Sequence, residues 1–353
     1  MEGFTSIRSA SLTLNDVNVL VGANGAGKSN FIRALGVLGR IVDSELGLFV
    51  GLSGGANALL NADPTASRRI HWEVKSGVGG YSAELVPAAG DALIFSDETI
   101  WRDDTGVTAE LGRGHRETLL TVPEPLWGPE AAALVETLRG CRVFHFHDTS
   151  RAAPVKQQGY TADNRSLRSD AGNLAAILLR LRNGDRGRYQ RIVRTVKQAA
   201  PFFRDFVLEP ELAPDRVRLR WQQEGSDTVF PADALSDGTL RFICLTALLG
   251  QPELPGLIIL DEPELGLHPF AIVQLAAMLR AASRESQVLL ATQSVTLMNQ
   301  FELSDLIVVE RRDGASVFER PDPDRFGAWL ADYSLGELWE KNMLGGRPQP
   351  EHN

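Results

Sequence analysis

The sequence predicts an α/β fold in which parallel β-strands end at a phosphate-binding site, and three stretches support this prediction. The apolar run Val17–Val21 leads into residues 22–29, which match the pattern G-x-x-x-x-G-K-[ST] and precede a helical sequence. Residues 256–264 (GLIILDEPE) are an apolar run that ends in acidic residues, and residues 287–294 (QVLLATQS) are one that ends in polar residues. Strands buried on both faces of a parallel sheet have such continuous apolar runs, and their carboxyl ends point to the ligand crevice.

The loop at residues 22–29 carries the groups that bind a nucleoside triphosphate. Its three glycines are predicted to take positive backbone dihedrals and to turn N–H groups towards the phosphates at a helix N-terminus. Lys28 is predicted to reach the β- and γ-phosphates, and the Ser29 hydroxyl to bind Mg²⁺. The predicted nucleotide-binding residues here are Gly22, Asn24, Gly25, Ala26, Gly27, Lys28, Ser29 and Asn30. ATP and Mg²⁺ are therefore the expected cofactors.

Length and composition narrow the class of protein. With 353 residues, of which 43% are hydrophobic, the chain can form one large α/β domain or a few smaller ones. The formal net charge of -9 gives no general attraction to nucleic acid or anionic membranes, so such contact needs a local basic patch. Cys141 and Cys244 are far apart and lack companion ligands, which predicts neither a disulfide framework nor a zinc site. No signal-peptide pattern and no apolar run near the roughly 20 residues of a membrane span occur, which predicts a cytoplasmic protein without a membrane partner.

Short patterns predict a β-rich region after the first nucleotide motif. Residues 3–14 predict one or two entry strands, and residues 47–66 predict irregular structure with some helix. Residues 69–111 predict an antiparallel meander, because β-rich segments alternate with Gly and Asp turns. The four segments are 70–74, 81–86, 92–95 and 98–101. A short helix is predicted over residues 130–138.

A mostly helical lobe is predicted next. Residues 142–147 predict a strand with His145 and His147 on one face, which could bind a metal; with no third ligand nearby in sequence, packing or hydrogen bonding is the favoured interpretation. After a polar connector, apolar residues recur at helical spacing from Leu174 to Leu181. Two strands, at 205–212 and 216–222, are predicted to close the lobe.

The lobe also contains the one clustered basic segment of the sequence. Its cations are Arg180, Arg182, Arg186, Arg188, Arg191, Arg194 and Lys197, against the single acid Asp185, which is a local excess of six charges. We call this set the basic patch. It is interpreted either as solvated helix faces or as a track for nucleic-acid phosphates. Tyr189 is the one aromatic residue inside it, so base stacking is expected to contribute little.

Acidic residues at the end of a second predicted strand supply the other half of the nucleotide site. Asp261 is predicted to hold Mg²⁺, directly or through water, and Glu262 to polarise the water that attacks the γ-phosphate. Two adjacent carboxylates at a buried strand end would repel each other without a cation or partner. Upstream, Ser236 is predicted to cap a helix, so residues 236–239 present N–H groups and a helix dipole to an anion.

In this order the motifs resemble those of the ABC-class ATPases of the SMC, RecF and OLD type, and especially the standalone bacterial predicted AAA ATPases of that class. The resemblance rests on the stretches at 22–29, 235–239 (LSDGT), 257–269 (LIILDEPELGLHP), 291–294 (ATQS) and 329–339. It implies that residues 22–29 are the Walker A motif and that Asp261 and Glu262 are Walker B with its catalytic glutamate. It also implies that Ser236, Asp237 and Gly238 are a signature that contacts nucleotide, that residues 264–268 are the D-loop region and that Gln293 stands at the switch position.

The fold implied is an α/β, ABC-type P-loop ATPase head with an inserted antiparallel β meander and helical lobe. The predicted division assigns residues 1–45 and 236–353 to the ATPase core and residues 46–235 to the insertion. Glu262, Lys28 and Gln293 are the implied catalytic residues. A homodimer in the ATP-bound state is also implied, because in this class the signature completes the site of the facing subunit.

Some features depart from the family pattern and leave alternatives open. Asp237 replaces the usual signature Gly, and Gln293 replaces His; a Gln can donate a hydrogen bond but carries no charge, so slow hydrolysis is expected. Gln157 and Gln158 are candidates for the Q-loop residue. A transporter subunit and a small-molecule kinase fit the motif spacing less well. The implied role is DNA repair or chromosome maintenance with DNA on the basic patch; the alternative is an ATPase regulator of a separate effector protein in phage defence or a toxin system, without direct DNA binding.

Overall fold

Strands and helices form most of the chain in a computed structural model of the protein. The structure describes residues 1–62, 68–77, 79–103, 106–121, 128–209, 213–327 and 329–346. The strands are β1 (Glu2–Phe4), β2 (Ile7–Ser9), β3 (Val17–Val21), β4 (Ile70–Ser76), β5 (Gly79–Ala88), β6 (Ala92–Arg102), β7 (Thr108–Gly112), β8 (Cys141–Phe144), β9 (Gly159–Tyr160), β10 (Phe203–Val207), β11 (Arg216–Val217), β12 (Arg220–Gln223), β13 (Val229–Pro231), β14 (Leu257–Asp261), β15 (Gln287–Thr292), β16 (Leu306–Arg312) and β17 (Ala315–Glu319).

The helices lie between and after these strands. The α-helices are α1 (Lys28–Val42), α2 (Leu46–Leu52), α3 (Ala56–Leu59), α4 (Gly128–Arg139), α5 (Leu174–Gly184), α6 (Arg186–Ala199), α7 (Asp237–Leu249), α8 (Pro269–Ala282), α9 (Val295–Met298), α10 (Pro323–Phe326) and α11 (Leu335–Glu340). Short 3₁₀ helices cover Pro154–Lys156, Ala232–Ala234, Leu303–Asp305 and Trp329–Ala331. Among the described residues, no helix has the length and apolar character needed to span a bilayer.

A sheet of mainly parallel strands positions the predicted nucleotide motifs. Its order is β17-β16-β3-β15-β14-β8; β17 pairs antiparallel with β16, and the other neighbours pair in parallel. Every residue of β3 is buried, including the polar Asn18, as are the first four of β14, which explains why apolar residues predominate in both strands. Because β3, β15 and β14 are neighbours, the three loops that follow them meet at one edge of the sheet, as predicted.

Alternate residues of these strands pack into two cores on opposite faces. Leu257 and Ile259 of β14 belong to the core that contains α1, whereas Ile258 and Leu260 belong to the core that contains α7 and α8. This alternation follows from the two-residue period of a strand. Complete burial of each such side chain contributes about 1.5–3 kcal/mol, so the two cores fix the helices that carry the predicted Walker A and signature residues.

The predicted meander is present as part of a six-stranded antiparallel sheet, in the order β2-β1-β4-β5-β6-β7. The sequence predicts two segments at 92–95 and 98–101, but the structure has the single strand β6 there. The polar residues Ser96 and Asp97 lie between the two predicted segments. A register shift between Glu84 and Leu85 of the paired strand β5 accommodates them, and the Ser96 hydroxyl donates to Glu84 Oε1 at 2.8 Å. This cross-strand bond keeps the polar pair inside the strand.

Strand pairing crosses both predicted boundaries between core and insertion. β1 and β2, from the predicted core, extend the antiparallel sheet, because β1 pairs with β4. β8, from the predicted insertion, is the last strand of the parallel sheet and pairs with β14. The division into residues 1–45 with 236–353 and residues 46–235 therefore does not coincide with the sheets, and as a domain boundary it stays a prediction.

The predicted strand over residues 142–147 is wrong in its extent. β8 ends at Phe144, because the backbone then turns away and the His145 N–H donates to the carbonyl of Ser169 at 2.9 Å. The rings of His145 and His147 lie 6.4 Å apart between centroids. In the part of the chain that the structure describes, no group of three or more His, Cys, Asp or Glu residues is arranged for a metal ion.

The lobe is helical where predicted and contains more β-structure than predicted. α5 and α6 pack beside a three-stranded sheet, β10-β12-β13, and a two-stranded ribbon, β9-β11. The strand predicted at 216–222 is split into β11 and β12, because Arg216 and Val217 pair with β9 whereas Arg220–Gln223 pairs with β10 and β13. The strand predicted at 205–212 is β10, and residues 210–212 lie outside the described residues, as do residues 63–66 of the predicted irregular segment. α2 and α3 supply the helix predicted between residues 47 and 62.

Candidate functional site

The loop predicted to be Walker A, residues 22–29, connects β3 to α1, and its glycines serve two different purposes. Gly25 and Gly27 have φ values of 79° and 115°, as predicted. A Cβ atom on Gly27 would lie 2.0 Å from Ser316 Oγ, so a side chain there is also excluded by contact. The prediction of a positive φ is wrong for Gly22. Glycine is needed there for a different reason, because a Cβ atom would lie 2.2 Å from the Val309 carbonyl oxygen. β16 therefore presses against the start of the loop.

Lys28 is the first residue of α1 and is 5% exposed. Its Nζ donates to the carbonyl oxygens of Gly22 at 2.7 Å and Ala23 at 3.0 Å. Burial lowers the pKa of Lys28, although the negative charges of Glu262, Asp261 and Glu264 oppose this effect. The ammonium group is thus held at the mouth of the loop with carboxylates nearby.

Asn30 and Ser29, which follow Lys28, point to different surroundings. The Asn30 side chain donates to Ser6 Oγ at 2.7 Å, and Ser6 Oγ lies 2.7 Å from Ser316 Oγ. Ser29 is exposed and lines a cavity that is also bordered by Asp261. The structure therefore brings Ser29 to the predicted magnesium side of the site, whereas the Asn30 side chain supports the loop from behind.

The three predicted motifs meet through the side chain of Gln293. Its Nε2 donates to Asn24 Oδ1 of the Walker A loop at 2.5 Å and to Glu262 Oε1 at 2.5 Å. Glu262 directly follows β14 and has a φ of 44°, which is unusual for a residue other than glycine, and its N–H donates to the Ala291 carbonyl of β15 at 2.9 Å. Strain of this kind is concentrated at functional sites. The geometry thus connects residues that are separated by up to 269 positions in sequence.

Glu264 supports the segment that carries Gln293. It is 9% exposed, and its Oε1 accepts a hydrogen bond from the Thr292 hydroxyl; Thr292 Oγ1 in turn accepts from the Ser294 N–H at 2.9 Å. Its other oxygen, Oε2, is buried without a hydrogen-bond partner among the described residues. Burial raises the pKa of Glu264, although the hydrogen bond from Thr292 opposes this effect. The sequence places Glu264 in the D-loop region through the resemblance alone and does not predict this supporting contact.

Comparison with known proteins identifies the family. Residues 17–299 match the family model described as "AAA domain, putative AbiEii toxin, Type IV TA system". The chain belongs to this AAA-domain family. The match extends from β3 to α9 and so includes the predicted motifs from residues 22–29 to residues 291–294, but not residues 329–339.

Solved structures share the fold of this AAA-domain chain. An SMC head bound to the C-terminal winged-helix domain of ScpA is 15% identical, has a TM-score of 0.55 and covers 96% of this chain and 97% of its own. An SMC head with an extended coiled coil, bound to the C-terminal domain of ScpA derived from Pyrococcus furiosus, is 16% identical, has a TM-score of 0.53 and covers 94% of this chain and 97% of its own. A search of curated proteins finds no match. At this identity the likeness shows the fold, so the predicted ABC/SMC-like ATPase head fold is confirmed.

In this AAA-domain fold, the predicted signature begins α7 and lies beside the D-loop region. Ser236 is the N-cap of α7 and accepts from the Thr239 N–H at 3.2 Å, as predicted. A Cβ atom on Gly238 would lie 2.1 Å from the Gly266 carbonyl oxygen, so the two loops are in close contact. Ser236 and Asp237 are exposed. The signature therefore lies on the surface, and its hydrogen bonds stay within its own helix start.

Arg241 is a further residue of this region that the sequence analysis missed. Its guanidinium donates to the carbonyl oxygens of Leu265 at 2.8 Å, His147 at 3.0 Å and Phe146 at 3.2 Å. It thereby connects the D-loop region to the segment after β8. Its position one helical turn after Gly238 was the available signal, since such a residue lies on the same face as the signature.

A cavity of about 580 Å³ extends from Ser29 and Asp261 along α1 and β8. A hydroxyl and a carboxylate are ligands that suit Mg²⁺, so these residues fit the predicted metal. His145 also lines this cavity, and its pKa is lowered by burial and by the neighbouring His147, although Asp261 opposes the shift. Gln157 and Gln158 are exposed, and Gln157 donates to the Arg151 carbonyl at 2.7 Å. Neither glutamine lines the cavity. His145 does, because it directly follows β8, and β8 is the neighbour of β14 in the sheet.

The basic patch is partly neutralised by residues from other elements. Arg182 pairs with Glu209 at 2.8 Å and Lys197 with Glu224 at 2.7 Å, while Arg188 pairs with Asp185 at 3.1 Å. The local excess of positive charge falls from six to four when Glu209 and Glu224 are included. Tyr189 is buried and its hydroxyl donates to Asp205 at 2.6 Å, so it is not available for base stacking. Four arginines of the patch remain exposed: Arg180, Arg186, Arg191 and Arg194.

Proposed function

We propose that the chain binds ATP with Mg²⁺ and hydrolyses it slowly as a dimerising nucleotide switch. The observation that carries this proposal is the Gln293 side chain, which joins Asn24 of the Walker A loop to Glu262 at the end of β14. A structural role alone would not need a strained glutamate at that strand end. Membership of the AAA-domain family and the fold of an SMC head support the same function.

Each residue contributes a distinct part of the reaction. Lys28 supplies the positive charge for the β- and γ-phosphates, and the loop N–H groups supply hydrogen bonds. Glu262 accepts a proton from the attacking water, and Gln293 orients Glu262 through its amide. Bound Mg²⁺, which Ser29 and Asp261 would hold, neutralises negative charge on the phosphates. Hydrolysis is slow because Gln293 is neutral at a position where it faces developing negative charge.

Two substitutions test the proposed activity. Lys28→Ala should lose ATP binding, whereas Glu262→Gln should bind ATP with near wild-type affinity and turn it over at least about 100-fold more slowly, the usual contribution of a general base. Glu253→Gln, at an exposed residue outside the site, is the matched control. ATP binding is measured by calorimetry and turnover by phosphate release. Equal turnover in the wild-type protein and both site variants would contradict the proposal.

The exposed signature supports the dimer. Ser236 and Asp237 are exposed at the start of α7. Three large apolar residues of the segment that contacts Gly238 through Gly266 are exposed as well: Leu265 at 47%, Phe270 at 52% and Val273 at 44%. We propose that Ser236 and Gly238 complete the nucleotide site of a second copy. Chains with Lys28→Ala and chains with Ser236→Arg should each be inactive, and mixing them should restore part of the activity, because one site of the mixed dimer has neither substitution. Proven mixed dimers without activity would contradict this.

The output of the switch has two candidates, and the structure favours a separate effector protein over direct DNA binding. The basic patch loses two of its six excess charges to Glu209 and Glu224, and its one aromatic residue is buried. The family description also names a putative toxin system. We propose that the ATP-bound dimer controls a toxin-type effector chain; DNA repair or chromosome maintenance is the second candidate.

A salt titration separates the two outputs. DNA binding through the exposed arginines of the basic patch would weaken with a log-log slope near −0.9 for each phosphate contact. It should be lost when Arg186, Arg191 and Arg194 are changed to Glu. An effector regulator shows no such binding, and its partner should co-purify with the Glu262→Gln variant in the presence of ATP. Tight, salt-dependent DNA binding that the triple variant abolishes would favour DNA as the output.

A further inference from the structure

Two adjacent glycines, Gly345 and Gly346, lie directly against the Walker A loop, and we call them the glycine clip. The Gly346 carbonyl accepts a hydrogen bond from the Ala23 N–H at 2.7 Å, and the Gly346 N–H donates to Glu310 Oε1 at 2.7 Å. Leu344, just before the clip, is buried in the same core as Leu306 and Val308 of β16. The clip is therefore anchored on β16 by a core residue and a carboxylate, and it contacts the nucleotide loop with its backbone.

Both positions of the clip require glycine. Gly345 and Gly346 have φ values of 85° and 84°, a conformation that residues with a side chain rarely adopt. A Cβ atom on Gly345 would lie 2.5 Å from Glu310 Oε1, and one on Gly346 would lie 3.3 Å from both Gly22 Cα and Val308 Cγ1. Side chains at these positions would push the clip away from the loop, because the neighbouring Gly22 Cα is backbone that is itself packed against β16.

The clip holds one particular peptide group of the loop. The N–H of the peptide between Gly22 and Ala23 donates to Gly346, and the carbonyl of the same peptide accepts from Lys28 Nζ at 2.7 Å. Rotation of this peptide would break both hydrogen bonds. The next residue, Asn24, accepts from Gln293, so the orientation of this peptide also affects the contact to Glu262.

We propose that the glycine clip is a positioning element of the nucleotide site, which holds the peptide between Gly22 and Ala23 in the orientation that binds the triphosphate. This inference rests on the proposed ATP binding. A loop that is already ordered loses less conformational freedom when it binds a ligand, so the clip increases affinity. It touches no reacting atom, and its loss therefore weakens nucleotide binding more than it slows turnover at saturating ATP.

Gly346→Ala tests the clip, with Gly314→Ala as the matched control. Gly314 lies in the turn between β16 and β17 with a φ of 73°, but a Cβ atom there would have no neighbour within 4 Å. Both variants thus carry the same backbone strain, and they differ in the contact with the loop. We expect ATP affinity to fall roughly tenfold in Gly346→Ala, in line with the loss of a hydrogen bond that orders a binding loop, and to stay near wild type in Gly314→Ala. KM should rise more than kcat falls.

Glu310 provides a second arm that does not disturb the glycines. Glu310→Ala removes the acceptor for the Gly346 N–H and should weaken ATP binding, whereas Glu310→Gln keeps an oxygen acceptor and should largely restore it. Equal ATP affinity in Gly346→Ala and Gly314→Ala, or a loss in Glu310→Gln as large as in Glu310→Ala, would overturn the proposal.

Hydrogen exchange without nucleotide separates this inference from the proposed function. The Ala23 amide should exchange faster in Gly346→Ala than in Gly314→Ala, while protection of β14 and β15 stays unchanged. If the wild-type chain fails to bind ATP but this difference is present, the proposed function fails and the clip contact stands. If the exchange of Ala23 does not change, the clip does not position the loop, whatever the wild-type protein binds.

Discussion

Two buried glutamates, one in the region of each six-stranded sheet, differ in how completely their carboxyl groups are hydrogen-bonded. Glu98 of β6 is fully buried, and its carboxylate accepts hydrogen bonds from the Tyr81 hydroxyl at 2.7 Å, the Leu119 N–H at 2.9 Å and the Thr118 hydroxyl, with His115 Nε2 at 2.9 Å. Glu264 is almost as buried, but it accepts from the Thr292 hydroxyl with one oxygen and leaves the other without a partner. Buried carboxylates of the first kind stabilise a structure, and those of the second kind are candidates for function.

The surroundings of the two residues agree with this division. The partners of Glu98 lie in β5 and in residues 115–119, so its network fixes that segment to the antiparallel sheet, and Glu117 in the same segment accepts from the Leu46 and Gly47 N–H groups at the start of α2. Glu264 lies instead among the ionisable groups of the proposed nucleotide site, where Glu262 raises its pKa further. The comparison teaches that the hydrogen bonding of a buried carboxyl group, rather than burial itself, separates the structural Glu98 from Glu264, which is proposed to be functional.

The largest expected effect is on stability, from Glu98→Ala. This change leaves several buried donors without an acceptor, so the free energy of unfolding should fall by about 3–5 kcal/mol. ATP affinity of the protein that remains folded should be unchanged, because the network does not touch the nucleotide loop. Urea unfolding followed by circular dichroism measures the first quantity and calorimetry the second. Glu110→Ala, at an exposed residue of the neighbouring strand β7, is the control; a loss no larger than in that control would remove the structural role given to Glu98.

The opposite pattern is expected for Glu264→Ala. Turnover should fall about tenfold, which corresponds to ~1.4 kcal/mol, because Thr292 loses the acceptor that orders the segment with Gln293. Stability should change less than in Glu98→Ala, since one hydrogen bond is lost rather than several. Phosphate release and urea unfolding are measured on the same preparations. A stability loss equal to that of Glu98→Ala, with turnover intact, would reverse the assignment of the two glutamates.

The pH dependence of stability gives a finer distinction through Glu264→Gln. The pKa of Glu264 is raised in the folded state, so the folded protein binds the proton more tightly than the unfolded chain, and wild-type stability falls as the pH rises from the ordinary carboxyl pKa through the raised one. Gln cannot lose a proton, so the variant lacks this fall. Its free energy of unfolding relative to wild type should therefore increase across that pH window and then level off. A constant difference from pH 4 to pH 8, measured by urea unfolding, would contradict the raised pKa.

The sequence predicts the local structure around the proposed nucleotide motifs well, because each motif is a local pattern. The strand before Gly22, the strand that ends at Asp261 and the cap at Ser236 are all present as predicted. The meander is also present, since alternation and turn residues specify it locally, although its joining to β1 and β2 depends on pairing between distant segments. Contacts across long separations are not visible in a single sequence. The contact of Gln293 with Asn24, the presence of His145 in the cavity lined by Ser29 and the contact of the glycine clip with Ala23 all belong to this class.

The net charge of the basic patch also depends on contacts between residues that are distant in sequence. Counting residues 180–197 gives an excess of six positive charges, because Glu209 and Glu224 reach the basic patch only through the fold of β10 and of the turn after β12. Tyr189 looks available in sequence and is buried in the structure. Burial and pairing of a helix face depend on what packs against it, so a charge run in sequence is a weaker predictor of a binding surface than the phosphate loop is of a nucleotide.

The smallest expected effect, from Tyr81→Phe, measures how much the Tyr81 hydrogen bond to Glu98 contributes to stability. Burial and the nearby Glu98 raise the pKa of the Tyr81 phenol, so its hydroxyl remains a hydrogen-bond donor over the whole accessible pH range. Tyr81→Phe removes one donor and leaves the carboxylate with its other partners, so it should lower the free energy of unfolding by about 1 kcal/mol, with ATP binding unchanged. In the Glu98→Ala background the same change should not lower stability, because it removes a buried hydroxyl that no longer has its acceptor, and the coupling energy of the double-mutant cycle should then be at least about 1 kcal/mol. Additive effects of the two substitutions would show that Tyr81 stabilises the sheet by packing alone, and the contrast between Glu98 and Glu264 would then rest on His115, Thr118 and Leu119.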